Sequence, residues 1–285
     1  MSAAISVRQL SVTFAGGFRR PAVQALQPLD FDLPAGAIVG VLGPNGSGKT
    51  TLLRVLAGLQ RPTAGHVEVL GLPPTARALR RRVAYQPEGP PPIGVLTGRE
   101  LLQWYGCQLE LDNATADARA DRWLLRFDLE HARARRVSTY STGMQRRLLL
   151  AAALLGEPDV LLLDEPTSGL DPLGSQIVMD VLRERAAAGA SILMASHHLM
   201  EVEQLCSEVL VLLDGRCAAR GSLDRLLDTG QRALVVRGLA DAALPDVAAA
   251  IARHGGELLR TEPLHEHLYA LFRRSYGRRA AQPEP

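Results

Sequence analysis

Residues 43–50, Gly-Pro-Asn-Gly-Ser-Gly-Lys-Thr, constrain this chain more than any other stretch. They follow the apolar run Ile38-Val39-Gly40-Val41-Leu42, which reads as a buried strand. They precede Thr51-Leu52-Leu53-Arg54-Val55-Leu56-Ala57-Gly58, which reads as a helix closed by glycine. Strand, glycine-rich loop and helix, in that order, is the context in which the GxxxxGK[ST] pattern carries chemistry. Gly43, Gly46 and Gly48, with Pro44, Asn45 and Ser47 between them, let backbone N–H groups approach phosphate oxygens without a Cβ in the way. The helix start, through Thr51, adds unpaired N–H donors and the positive end of its dipole. Lys49 is expected on the β- and γ-phosphates, and the Thr50 hydroxyl on Mg²⁺. The stretch implies a bound nucleoside triphosphate.

A chain of 285 residues holds one large domain with appendages, or two small ones. A net charge of +2 gives no global pull toward nucleic acid. The longest apolar stretch, residues 148–156, is too short to cross a bilayer, and Met1-Ser2-Ala3-Ala4 carries no signal-peptide pattern. Cys107, Cys206 and Cys217 have no ligand-like spacing and are read as reduced cytosolic thiols.

Along the chain, residues 5–14 alternate as a half-exposed strand, and Leu29-Asp30-Phe31-Asp32-Leu33 alternates likewise. His66 to Leu70 is a further strand ended by Gly71, so an antiparallel layer is expected around the nucleotide strand. Val83 to Glu88 is a short strand running into a proline-rich loop. Residues 96 to about 134 turn helical, with Leu101, Leu102, Tyr105, Trp123, Leu124 and Phe127 as apolar positions. The basic cluster Arg133 to Arg136 is a solvated face. Tyr140-Ser141-Thr142-Gly143-Met144-Gln145 opens a long helix to Leu155.

Val160-Leu161-Leu162-Leu163 is a buried strand ending in Asp164-Glu165-Pro166. Beside a phosphate loop, Asp164 can hold the Mg²⁺ shell and Glu165 can orient or deprotonate the attacking water. Ser191 to Ser196 is another buried strand, with His197 at the carboxyl end, where ligands of open α/β sheets collect. His198 beside it is expected to point elsewhere, in a structural role. Residues 209–213, Asp214-Gly215 and 216–220 form a hairpin.

With these residues in order, the chain resembles the ATP-binding subunit of an ABC transporter over roughly residues 3–228. Gly43 to Thr50 matches Walker A, Val160 to Glu165 Walker B, and Ser168-Gly169-Leu170-Asp171 the D-loop. His197 matches the switch histidine, and Phe14 falls where the adenine-stacking aromatic is expected. The family signature LSGGQ stands here as Tyr140-Ser141-Thr142-Gly143-Met144, keeping Ser141 and Gly143, a form similar to exporter-type ATPases associated with ABC-2 permeases. At the Q-loop the local pattern puts Glu88, rather than Gln86, at the metal-contacting position.

The resemblance implies an α/β fold: a P-loop NTPase core with an antiparallel β subdomain and an inserted α-helical subdomain at about 92–158. A small C-terminal α/β appendage at 229–275 and a disordered tail at 276–285 follow. It implies ATP and Mg²⁺ as ligands, with Thr50, Asp164 and Glu88 around the metal. It further implies a head-to-tail dimer, with itself or a paired second ATPase, in which Ser141 and Gly143 of one copy close over ATP on Lys49 and Thr50 of the other. Separate integral membrane permease subunits would hold the chain at the cytoplasmic face of the cell membrane, and no nucleic acid is involved. The rivals are a soluble ABC ATPase acting on ribosomes or DNA, which usually carries two cassettes or a long coiled coil, and a regulatory cassette without turnover, against which Asp164, Glu165 and His197 argue. In the tail, residues 233–237 read as a strand and 247–254 as a helix. His265 and His267 around Glu266 raise a metal-site idea, and Arg273, Arg274, Arg278 and Arg279 an anionic headgroup contact, with a disordered tail as the alternative.

Overall fold

The computed structural model describes residues 3–16, 21–91, 94–228, 236 and 239–259. The chain divides into two compact units after Leu227. In chain order, β1 (Ala3–Phe14) and β2 (Val23–Pro34) precede β3 (Ile38–Leu42), α1 (Lys49–Leu56), β4 (Ala64–Val69) and β5 (Val83–Gln86). Three helices then intervene: α2 (Gly98–Gln108), α3 (Asn113–Arg126) and α4 (Thr142–Leu154). The first unit continues through β6 (Val160–Asp164), α5 (Pro172–Ala187), β7 (Ser191–Ser196), α6 (Leu199–Leu205), β8 (Glu208–Leu213), β9 (Arg216–Ser222) and α7 (Leu223–Leu226). The second unit contains α8 (Leu244–Arg253). The strand expected at 233–237, all but Val236, and the residues from 260 onward lie outside the described residues, His265 and His267 among them.

The strands form two sheets, an antiparallel one in the order β2-β1-β4 and a six-stranded one in the order β5-β6-β7-β3-β8-β9. Five strands of the larger sheet run parallel, and only β9 runs against them. Parallel strands are covered on both faces, which is why β3, β6 and β7 are continuous apolar runs rather than alternating ones. Period two still sorts their side chains. Leu161 and Leu163 face a core shared with the inserted helices and α5, whereas Val160 and Leu162 face a second core shared with the antiparallel sheet and α1.

Helix starts follow the sequence. Thr97 and Glu100 make a reciprocal capping box at α2, and Asp112, Ser141 and Asp171 cap α3, α4 and α5 through their side chains. The expected hairpin is present, with Asp214 at φ 48° and Gly215 at φ 74°, the two positive angles that a tight primed turn requires. β2 begins at Val23, well before the expected Leu29, because its pairing with β1 shifts register between Leu29 and Leu26. Pro28 falls in that irregularity, where a missing N–H costs no ladder bond and where alternation is lost from the sequence.

Parallel register aligns the carboxyl ends. Gln86 pairs with Leu163, Asp164 with Ala195, and Leu42 with Ser196. The residues that follow β3, β6 and β7 therefore emerge along one edge of the sheet: the glycine loop, Glu165 and His197.

Candidate functional site at the carboxyl edge of the sheet

The glycine loop is shaped by contacts that only bare backbone tolerates. Gly48 caps α1 at φ 102°, and a Cβ there would lie 2.6 Å from the carbonyl oxygen of Ala25. A Cβ on Gly43 would lie 2.3 Å from the carbonyl oxygen of Leu212. Lys49 is buried, and its ammonium donates back over the loop to the carbonyls of Gly43 (2.7 Å) and Pro44 (3.1 Å). The Ser47 hydroxyl is buried without a hydrogen-bond partner among the described residues.

At the end of β6, Asp164 accepts a hydrogen bond from the Thr50 side chain. Burial pushes the Asp164 carboxyl above its ordinary range, and the charges of Glu88 and Glu165 push the same way; the Thr50 bond and the Lys49 charge oppose them. Glu165 has a backbone φ of 51°, left-handed for a residue that carries a side chain and precedes proline. Its N–H donates to the carbonyl of Ala195 at 2.9 Å, which ties the strained turn to β7. The turn drives the carboxyl inward: Glu165 is 4% exposed, with Oε1 2.8 Å from Nδ1 of the half-exposed His197.

These features fit Mg²⁺ with a nucleoside triphosphate. Ser47 Oγ, Asp164 Oδ2 and Glu165 Oε2 are buried polar atoms without partners among the described residues, and each suits a phosphate, metal or water contact. Three carboxylates close enough to disfavour ionisation at Asp164 are a concentration of negative charge that a divalent cation would relieve.

His198 departs from the expectation that it points elsewhere. Its ring lies 4.1 Å from that of His197, centroid to centroid. The strand ends at Ser196, and the His198 N–H donates to the Ser196 hydroxyl at 3.0 Å, so side-chain alternation stops before this residue. Gln86 and Glu88 occupy different environments. Gln86 ends β5 buried, with neither amide atom partnered among the described residues, while Glu88 lies outside the strand with a largely exposed side chain. Glu88 nonetheless acts electrostatically on Asp164, and its Oε1 is 3.9 Å from Nη2 of Arg146.

Arg146 was not singled out by its sequence context. It is buried on α4 together with Leu149 and Leu150, three and four positions on, and that helical spacing was the available signal. Ser141 is exposed, its hydroxyl accepting from the N–H of Met144 at 3.2 Å. Gly143 packs on the D-loop, where a Cβ would lie 3.2 Å from Leu170 Cδ2. Phe14, 42% exposed at the end of β1, presents its ring to solvent. Within one chain, then, Lys49, Thr50, Asp164, Glu165 and His197 share the sheet edge, and Gly143 packs against the D-loop.

A glycine cradle at a helix start, a threonine bonded to a strand-end aspartate and a following glutamate paired with histidine define a P-loop nucleoside triphosphatase. The ABC transporter family model matches residues 26–168. A daunorubicin resistance ATP-binding protein of Streptomyces coeruleorubidus is 44% identical over 205 residues, 71% of this chain and 65% of the relative. A Nod factor export ATP-binding protein I of Burkholderia lata is 38% identical over 230 residues, 79% of this chain and 76% of the relative. The chain thus spans about two thirds to three quarters of the length of these relatives. A solved ATP-binding subunit of an ABC transporter superposes with a TM-score of 0.69 at 31% identity, covering 78% of this chain and 91% of that one. A dimeric ATP-binding cassette bound to ADP and phosphate gives a TM-score of 0.71 at 22% identity over 77% of this chain and 98% of that one, a likeness of fold. The chain belongs to the ABC transporter family, as an ATP-binding cassette.

Proposed function

We propose that this cassette hydrolyses ATP to drive an exporter whose membrane-spanning subunits are separate polypeptides. The observation that carries the reading is the Glu165–His197 pair, 2.8 Å apart, at the same sheet edge as the phosphate loop. Lys49 and the loop N–H groups of residues 45–51 hold the triphosphate, and Phe14 stacks on the adenine. Thr50 and Asp164 hold Mg²⁺, with Glu88, rather than the buried Gln86, reaching its shell. The bound ion supplies charge neutralisation on the phosphates. Glu165 positions and deprotonates the attacking water, while His197 orients that carboxylate and contacts the γ-phosphate side.

Ser141 and Gly143 serve the site of a second cassette, which makes the working unit a head-to-tail dimer. The ATPase domain spans 3–228, with 92–158 as the helical subdomain that meets the permease. The chain is held at the cytoplasmic face through its permease partner; among its described residues no helix is long and apolar enough to cross a membrane. One relative is named for daunorubicin resistance and another for Nod factor export, so a drug and a Nod factor are the first cargoes to test.

The test is ATPase activity with and without a co-expressed, detergent-solubilised permease, wild type against Glu165→Gln. Loss of a positioned base costs roughly 10²–10⁴-fold in turnover, and the variant should accumulate as an ATP-bound dimer. Wild type that binds ATP but turns over with no partner would refute the motor reading.

A further inference from the structure

We propose that Glu165, His197 and His198 form a second metal site, one for a borderline-soft divalent transition ion such as zinc, whose occupancy disables the catalytic carboxylate. The donor atoms of these three side chains all lie within 4.8 Å of one another. Two imidazoles and one carboxylate is a donor set that zinc takes in open three-ligand sites, leaving a fourth position for water. Glu165 is almost wholly buried, and its Oε2 has no hydrogen-bond partner among the described residues. The carboxylate is therefore anchored in the protein with an unused oxygen, while the half-exposed His197 gives an ion an entrance from solvent. The ring of His198, tilted at 36° with its centroid 4.1 Å from that of His197, brings the third donor from the adjacent residue.

The site is chemically distinct from the one proposed for Mg²⁺. Magnesium prefers an octahedron of oxygens and keeps its waters, which suits Thr50 and Asp164 with phosphate oxygens. Imidazole nitrogen favours zinc, copper or nickel, and affinity for such sites rises steeply along the first-row series. An ion held by Glu165 removes the lone pair needed to take a proton from water, and it draws His197 away from the γ-phosphate. This inhibitory consequence rests on the function proposed above; the binding itself does not.

The experiment uses the full-length chain with Cys107→Ser and Cys217→Ser, which removes the exposed thiols as competing soft donors. Co²⁺ is titrated without nucleotide, read by its visible d–d absorption, and then displaced by Zn²⁺. The expected result is a tightly bound ion whose affinity, read from the Co²⁺ spectrum, His198→Gln lowers by more than the roughly 10–100-fold that loss of an outer-shell partner costs. Glu165→Gln should weaken it too, as a second variant should His198→Gln fold poorly. In the activity arm, Zn²⁺ at fixed Mg-ATP inhibits wild type, and His198→Gln keeps basal turnover but loses the sensitivity. A Co²⁺ spectrum unchanged in both variants overturns the site. Metal binding without turnover would sink the motor reading and leave the metal site standing, and turnover with no Co²⁺ binding would do the reverse.

Discussion

Replacing Arg146 by methionine should leave the protein as stable or make it more so. The guanidinium is 7% exposed on the buried face of α4, Nη1 has no hydrogen-bond partner among the described residues, and the Glu88 carboxylate stands 3.9 Å away. Two unit charges at that separation attract by about 4 kcal/mol at an effective dielectric of 20 and by about 1 kcal/mol in water. The Glu88 side chain is 58% exposed, which places the pair toward the lower figure, where exposed pairs contribute ~0–1 kcal/mol. Taking an arginine out of water costs several kcal/mol, and apolar replacements of buried ion pairs are often stabilising by about 1–4 kcal/mol. Methionine keeps an unbranched stem of similar reach and leaves no polar atom unpaired.

The expected gain from Arg146→Met is about 1–2 kcal/mol, or ~2–8 °C in Tm for a unit of this size. Urea titration and calorimetry would measure it, and a double-mutant cycle with Glu88→Gln should give a coupling below about 1 kcal/mol. A loss of more than ~2 kcal/mol, or a larger coupling, would refute the reasoning. The coupling also bears on function. A Glu88 held strongly by Arg146 would not be free to reach a metal shell beside Asp164.

Two further outcomes follow from local geometry. Gly48→Ala puts a Cβ 2.6 Å from the Ala25 carbonyl oxygen in a backbone at φ 102°, and should cost about 2–5 kcal/mol in denaturant titration together with ATP binding in a filter or fluorescence assay. Glu157 is clamped by Arg119 and Arg122, each at 2.9 Å; the Arg122 hydrogen bond, with the charges of Arg119, Arg122 and Arg185, holds its carboxyl below the ordinary 4.5. A depressed carboxyl stabilises the fold above 4.5 and loses that contribution as pH falls through its native value. Glu157→Gln should therefore cost about 1 kcal/mol at pH 7, discounted for partial exposure, with the gap to wild type closing in acid and shrinking in high salt. A gap independent of pH would contradict the assignment.

Much of this protein was legible in the sequence because its signals are local. A buried parallel strand must be continuously apolar and a phosphate loop must be glycine-rich, and both demands are met within a few residues of chain. The early start of β2 was hidden because its register shift at Pro28 depends on β1, not on β2's own alternation. The pairing of the two histidines was hidden for a similar reason: a turn anchored by the Ser196 hydroxyl overrides the alternation of β7.

A phosphate loop, two strand-end acids and a histidine could be read off the chain, because each is a short pattern with its own chemistry. That they meet is a property of the folded whole. Parallel register sets Gln86 beside Leu163, Asp164 beside Ala195 and Leu42 beside Ser196, so residues more than 150 positions apart leave the sheet along one edge. The fold also sets the environments of Gln86, Glu88 and Arg146, since burial and distance are properties of the packed chain and not of any one segment.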